Sequence, residues 1–133
     1  MVNILSKYKD PIYALMRIVV GFLFLCHGAQ KLLGMFGGVD GAGGTAPLFS
    51  QSGLAGVIEL VGGLAIVLGV FTCWAAFLSS GLMAVAYFMV HQPQGGLPLQ
   101  NRGELAAVYA FVFLFIAAYG DGSWSLGGRL KKG

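Results

Sequence analysis

Residues 12–33 read IYALMRIVVGFLFLCHGAQKLL, an apolar run that carries Arg17 and closes on Cys26-His27-Gly28-Ala29-Gln30-Lys31 before its last two leucines. Coiled as a helix at ~1.5 Å per residue, it is long enough to cross the ~30 Å hydrocarbon core of a bilayer. A charged side chain at the lipid-facing centre of such a helix costs roughly 2.5 to 3.5 kcal/mol on insertion scales, so these groups are expected to pair or to reach a wet cavity. Lys7 and Lys9 ahead of an apolar run also suit a secretory signal peptide, but the run is too long, contains Arg17 and lacks a small-x-small cleavage site after it. It reads as a membrane span.

The rest of the chain repeats the pattern. Of its 133 residues, 57% are hydrophobic and 10% charged, with a mean hydropathy of +0.81, which excludes a soluble domain of this length. Three further apolar runs cover 53–71, 73–91 and 104–119. No ~10-residue segments of alternating polarity point to a transmembrane barrel. The sequence therefore predicts an all-α fold, an integral membrane four-helix bundle in one domain over residues 1–133. Its partner is the lipid bilayer, and no nucleic acid is expected.

Lys and Arg gather on the cytoplasmic flanks of membrane spans. Lys7 and Lys9 precede the first run and Arg129, Lys131 and Lys132 follow the fourth, whereas segment 34–52 has neither residue and segment 92–103 has Arg102 alone. Both termini are expected on the cytoplasmic side of the inner membrane, together with the tight turn near Thr72. This topology carries His27, Gln30 and Lys31 to the outer end of the first span and places Glu59 ~9 Å into the second by helical rise. His91 ends the third span and Glu104 begins the fourth, so all four helices bring polar residues to one face of the membrane.

Helical phase agrees with a common interior. At ~100° per residue Arg17, Gly21, Phe24, Gly28 and Lys31 share one face, as do Glu59, Gly62, Gly63 and Ile66, and Ala76, Ser80 and Ala84. Small residues in such stripes let helices approach closely in lipid. Arg17 lies near the inner end of its span, where snorkelling would relieve part of its cost. Glu59 has a short side chain and no such escape, and its nearest cationic candidates are Lys31 and His27.

The Arg in the first span, His27-Gly28-x-x-Lys31-Leu32, a glycine-rich loop, Glu59 followed by Gly62-Gly63, and Glu104 with Gly120-Asp121-Gly122-Ser123-Trp124-Ser125-Leu126 resemble the DoxX family of small four-helix membrane proteins over nearly the whole chain. The resemblance implies a respiratory or redox-linked role at the cytoplasmic membrane. The family includes or is related to the membrane subunit of thiosulfate:quinone oxidoreductase, and some members work in membrane complexes with soluble sulfur-transfer or superoxide-detoxifying enzymes. Membership of a family speaks to fold more firmly than to function.

A quinone head group needs a hydrogen-bond donor or proton source at each carbonyl and an apolar slot for its ring and tail. His27 and Glu59 are the candidate catalytic pair, and Arg17, His27, Lys31, Glu59 and Glu104 the candidate quinone-binding set. His91 is a second potential donor, and Phe22, Phe24, Phe88 or Tyr109 are candidate walls. The expected activity is that of an oxidoreductase subunit acting with quinone. No nucleotide, flavin or phosphate fingerprint is present, so its electrons are expected from a soluble redox or sulfur-transfer partner or from the quinone.

Other readings stay open. Two His and two Glu at one depth form a nitrogen and oxygen ligand set for a metal or haem, although no His-x-x-x-His, Glu-x-x-His or Cys-x-x-Cys is present. A non-catalytic scaffold for soluble redox or sulfur-transfer enzymes would use the same residues structurally. Glu59 would then sit in an ion pair with Lys31 or Arg17, His27 would donate to a carbonyl, and Glu104 would be favoured by a helix dipole. A small-solute or proton pathway would need a homo-oligomer for room.

The remaining segments add less. Six glycines between Gly34 and Gly44, then Thr45-Ala46-Pro47-Leu48-Phe49, make the first outer loop either a flexible connection or a lid over the site. His91 before Gln92-Pro93 reads as interfacial, Arg102 as solvent-facing and Asp121 as a turn after the last span. Trp74 and Trp124 suit interfacial anchors. Cys26 and Cys73 fall ~20 Å apart along the bilayer normal, beyond the reach of a disulfide, and read as structural thiols.

Overall fold

The computed structural model describes residues 2–133, with side chains from Ile4 onward. Among the described residues the regular structure is helical, apart from one isolated bridge between Gly38 and Gly44. The helices are α1 (Val2–Ser6), α2 (Lys9–Leu33), α3 (Gln51–Leu68), α4 (Thr72–Ala86), α5 (Pro98–Asn101), α6 (Glu104–Tyr119) and α7 (Leu126–Leu130). Beyond Ala86, α4 continues through a π-helical turn, Tyr87–His91, and a 3-10 turn, Gln92–Gln94. Lys9–Leu33, Gln51–Leu68 and Thr72–Gln94 are long and apolar enough to cross a membrane. α6 is a shorter apolar helix of 16 residues, about 24 Å by helical rise.

Local chemistry sets the helix ends. Gly34 and Gly69 stop α2 and α3 in the left-handed conformation, each with φ of 67°, which an L side chain rarely adopts. Ser50 starts α3 by accepting the Gly53 N–H at 3.0 Å. Between these points segment 34–50 folds on itself. Asp40 Oδ1 accepts the N–H groups of Ala42 and Gly44 at 2.9 Å each, which holds its carboxyl below the usual carboxylate value. The Ala46 N–H then donates to the Lys31 carbonyl at 2.7 Å, tying the far side of the turn to the end of α2.

The burial pattern is inverted relative to a soluble domain. Phe111 is 73% exposed, Val61 63% and Phe77 58%, while Arg17, Glu59, Ser79 and Ser80 are buried. So continuous an apolar exterior is a liability in water and the natural surface in lipid, where the polar groups belong inside.

Glycine decides the closest packing. A Cβ on Gly28 would lie 2.3 Å from the Leu60 backbone N, and one on Gly63 would lie 2.6 Å from the Leu25 backbone N. Backbone therefore touches backbone along the glycine-bearing faces of α2 and α3. α4 packs on α3 and on α6, with Ser80 Oγ donating to the Ala110 carbonyl at 2.7 Å. α2 meets α6 through Phe24, whose ring centroid is 4.6 Å from that of Phe113. Phe24, Ile66, Met83, Tyr109 and Ile116 join Phe113 in the apolar core.

Candidate functional site

A cavity of about 240 Å³ lies at the Lys31 end of these helices and draws its walls from α2, α3, α4 with its π turn, and α6. The close approach of α2 and α3 builds its charged wall. A Cβ on Gly56 would lie 3.1 Å from Lys31 Cβ, so the missing side chain one turn before Glu59 makes room for the lysine. Lys31 Nζ donates to Glu59 Oε1 at 2.6 Å and to Oε2 at 2.7 Å. The glutamate side chain is 4% exposed and the lysine 26%, so the ammonium keeps donor capacity toward open space while the carboxylate is enclosed. His27, one turn before Lys31 on the same face of α2, also lines the cavity.

The opposite wall depends on irregular backbone. The π turn alters the helical phase at the end of α4, and His91, its last residue, lines the cavity. His91 Nδ1 lies 3.1 Å from the Asn101 carbonyl. A carbonyl only accepts, so Nδ1 carries the proton and Nε2 is left as an acceptor in the neutral ring. Asn101 is 1% exposed and organises the turn before α6: its Nδ2 donates to the Gly95 carbonyl at 2.9 Å and its Oδ1 accepts the Gly103 N–H at 2.8 Å. That turn holds Arg102 in the left-handed region at φ of 59°, at the edge of the cavity. Tyr109 of α6 closes the wall. It is 6% exposed, and its hydroxyl has no hydrogen-bond partner among the described residues.

Of the residues expected at the site, the structure brings His27, Lys31 and Glu59 to one cavity. Glu104 is exposed in the first turn of α6 and does not line it. Arg17 lies ~21 Å from Lys31 along α2 by helical rise. Its side chain is wholly buried instead of snorkelling. Nη1 donates to the Ile66 carbonyl and, at 2.9 Å, to that of Val67; Nη2 donates to the carbonyls of Trp124 at 2.9 Å and Ser123 at 3.3 Å. Arg17 thus caps the last turn of α3, joining the Gly69 N–H at the Ile66 carbonyl, and fastens the segment after α6 to it. Gly127 N–H adds a bond to the Gly69 carbonyl at 2.8 Å.

His91, read both as interfacial and as a potential donor, lines the cavity, and Arg102, exposed as expected, also borders it. Ideal α-helical phase misplaces a side chain carried by a π turn, and a left-handed arginine leaves no periodic signal. The one available clue was Asn101, a turn-forming residue directly before Arg102. Segment 34–50, by contrast, contributes no lining residue and so forms no lid here. Among the described residues no group of three or more His, Cys, Asp or Glu side chains is placed to hold a metal ion.

Residues 12–92 match the DoxX family, which covers α2 through α4 and its π turn and includes His27, Lys31, Glu59 and His91. The chain belongs to the DoxX family. With its apolar helices, this DoxX chain is a membrane protein. It is 41% identical over 137 residues to an uncharacterized protein of Haemophilus influenzae, with 98% of each chain covered. No solved structure matches this DoxX chain.

Proposed function

We propose that this DoxX protein is an integral membrane subunit of a quinone-linked redox system and that the cavity at Lys31 and Glu59 takes the quinone head group. The carrying observation is donor capacity left unused around one small apolar-walled space. Lys31 has N–H capacity beyond its pair with Glu59, and the Tyr109 hydroxyl has no hydrogen-bond partner among the described residues. A carbonyl on each side of a ring matches two such donors, and Phe24 supplies an aromatic face. The volume, about 240 Å³, lies under the ~300 Å³ lower end of typical ligand pockets and suits one ring better than a dinucleotide.

In this reading Lys31 and Tyr109 hold the head group, Glu59 holds the ammonium in place, and His27 exchanges protons at the cavity wall. The quinone supplies a couple of two electrons and two protons, with the electrons delivered by a soluble redox or sulfur-transfer partner. The same proposal has four spans forming a bundle in the inner membrane with both termini cytoplasmic. Lys7, Lys9, Arg129, Lys131 and Lys132 all flank the Arg17 end of the helices, which supports that orientation and turns the cavity toward the outer leaflet.

The test is purification in mild detergent followed by solvent extraction and optical assay of bound quinone, for the wild type and for Glu59→Gln and His27→Ala. Quinone in the wild type and its loss from both folded variants is the expected result. A folded wild type that carries no quinone and binds none when it is added would overturn the proposal and leave the scaffold reading in its place.

A further inference from the structure

We infer that the ligand is an amphiphile whose hydrocarbon tail leaves the cavity sideways, between α3 and α4, through a gap bordered by Lys31 and Ala86. A second space of about 410 Å³ lies between these two helices, walled by Ala55, Ile58, Leu82 and Val85. Lys31 and Ala86 line both this groove and the head-group cavity, so the two spaces adjoin at those residues. Their chemistry differs: the cavity gathers the Lys31 ammonium, the Glu59 carboxylate, imidazole and phenol, whereas beyond Lys31, Gln51 and Ser52 the groove is aliphatic.

Small side chains and backbone irregularity coincide at the junction. Ala86 presents only a methyl, is partly exposed, and is the last α-helical residue before the π turn. Gln51 Nε2 contacts Met89 Sδ at 3.5 Å and bridges α3 to the π turn at the helix ends. Deeper along the same helix pair, a Cβ on Gly62 would lie 3.0 Å from Ser79 Oγ, so α3 and α4 are closely apposed there. The groove sits between these two contacts. A tail passing from lipid into an equally apolar groove gains little hydrophobic free energy, so the groove acts as a selector of tailed molecules and of their orientation.

The inference rests on the quinone reading of the cavity, and two probes separate their fates. The full chain in nanodiscs is titrated with a tail-less benzoquinone and with the same ring carrying a decyl tail, following intrinsic fluorescence. Both are expected to bind the wild type, and Ala55→Phe, which fills the groove at a residue outside the head-group cavity, is expected to weaken the tailed probe by about tenfold while leaving the tail-less one within about twofold. A version of the tailed probe with a diazirine on the tail, photolysed on the wild type, is expected to label peptides of α3 and α4 that contain Ala55, Leu82 or Val85. Labelling confined to α2 or α6, or equal weakening of both probes by Ala55→Phe, would overturn the lateral tail route with the quinone reading intact. Failure of the tail-less probe to bind the wild type would overturn the quinone reading itself.

Discussion

Lys31 and Glu59, 28 positions apart, meet in a two-point contact of 2.6 Å and 2.7 Å in which the carboxylate is 4% exposed and the ammonium 26%. The asymmetry assigns them different roles. Glu59 is enclosed against Lys31, whereas Lys31 is anchored at one side and available at the other. Removing one member of a buried pair strands a charge, while replacing both can be nearly neutral.

Lys31→Met is therefore expected to destabilise the protein by about 3 kcal/mol, the low end of the range for breaking a buried pair because Lys31 is partly exposed. Lys31→Met combined with Glu59→Leu should recover most of that loss. Thermal unfolding in detergent measures both. A double variant no more stable than Lys31→Met would show that the charge pairing is not what the single change disrupts.

Glycine substitutions should divide sharply by position. Gly28→Ala places a methyl 2.3 Å from the Leu60 backbone N, and the helices must separate to accept it, with an expected loss of about 2 to 3 kcal/mol. Gly81 has nothing within 4 Å of its added Cβ, so Gly81→Ala should be neutral or stabilise by up to ~1 kcal/mol through helix propensity. Melting curves of the two variants side by side decide it.

Arg17 holds the segment after α6 to the end of α3, so Arg17→Met should loosen that segment more than the cavity at the other end of the helices. Hydrogen exchange at the Gly127 amide, bonded to the Gly69 carbonyl at 2.8 Å, is the direct probe. Exchange should accelerate in Arg17→Met and less so in Arg17→Lys, which keeps a charge but loses the planar fork that reaches four carbonyls. Unchanged protection in Arg17→Met would remove the capping role.

The C-terminal turn should also respond to acid. Burial pushes the Asp121 carboxyl up, but the Lys131 ammonium at 2.9 Å and Thr72 outweigh it and hold the carboxyl below 3.8. A carboxyl depressed in the folded state contributes stability that is present above its unfolded value and lost as pH falls through the folded one. Lys131 is raised above 10.5 by the same contact, so its share persists until pH climbs through that raised value. Protection of α7 against exchange, corrected for the intrinsic rate, should be level from about pH 5 to about pH 9 and decline below about pH 4. Asp121→Asn should lower the plateau and abolish the acid-side decline.

Much of the architecture was readable along the chain. The runs 12–33, 73–91 and 104–119 each lie on an apolar helical stretch, 104–119 coinciding with α6, and 53–71 overruns the end of α3 at Leu68 by the turn at Gly69 to Phe71. The faces assigned by period are buried at Arg17, Gly21, Phe24 and Gly28 on α2, at Glu59, Gly62, Gly63 and Ile66 on α3, and at Ala76 and Ser80 on α4, while Lys31 and Ala84 are partly exposed. The end of the third run was less readable, because nothing in Tyr87 to His91 distinguishes a π turn from an α turn by hydropathy.

What the sequence by itself determined is whatever depends on one segment and its solvent. A backbone in hydrocarbon must satisfy its own hydrogen bonds, so apolar length specifies helices, and the 3.6-residue turn specifies which residues share a face. What only the tertiary structure decided is which faces meet and what distance separates their polar atoms. Lys31 was one of two candidate partners at about the depth of Glu59, and it took the pairing because Gly28, Gly56 and Gly63 let α2 and α3 close until the ammonium reached the carboxylate. Arg17 left the expected site and Arg102 came to border it for the same physical reason. A side chain's partners are set by the approach of elements distant in sequence and by departures from ideal backbone, and neither is encoded in the period of a single helix.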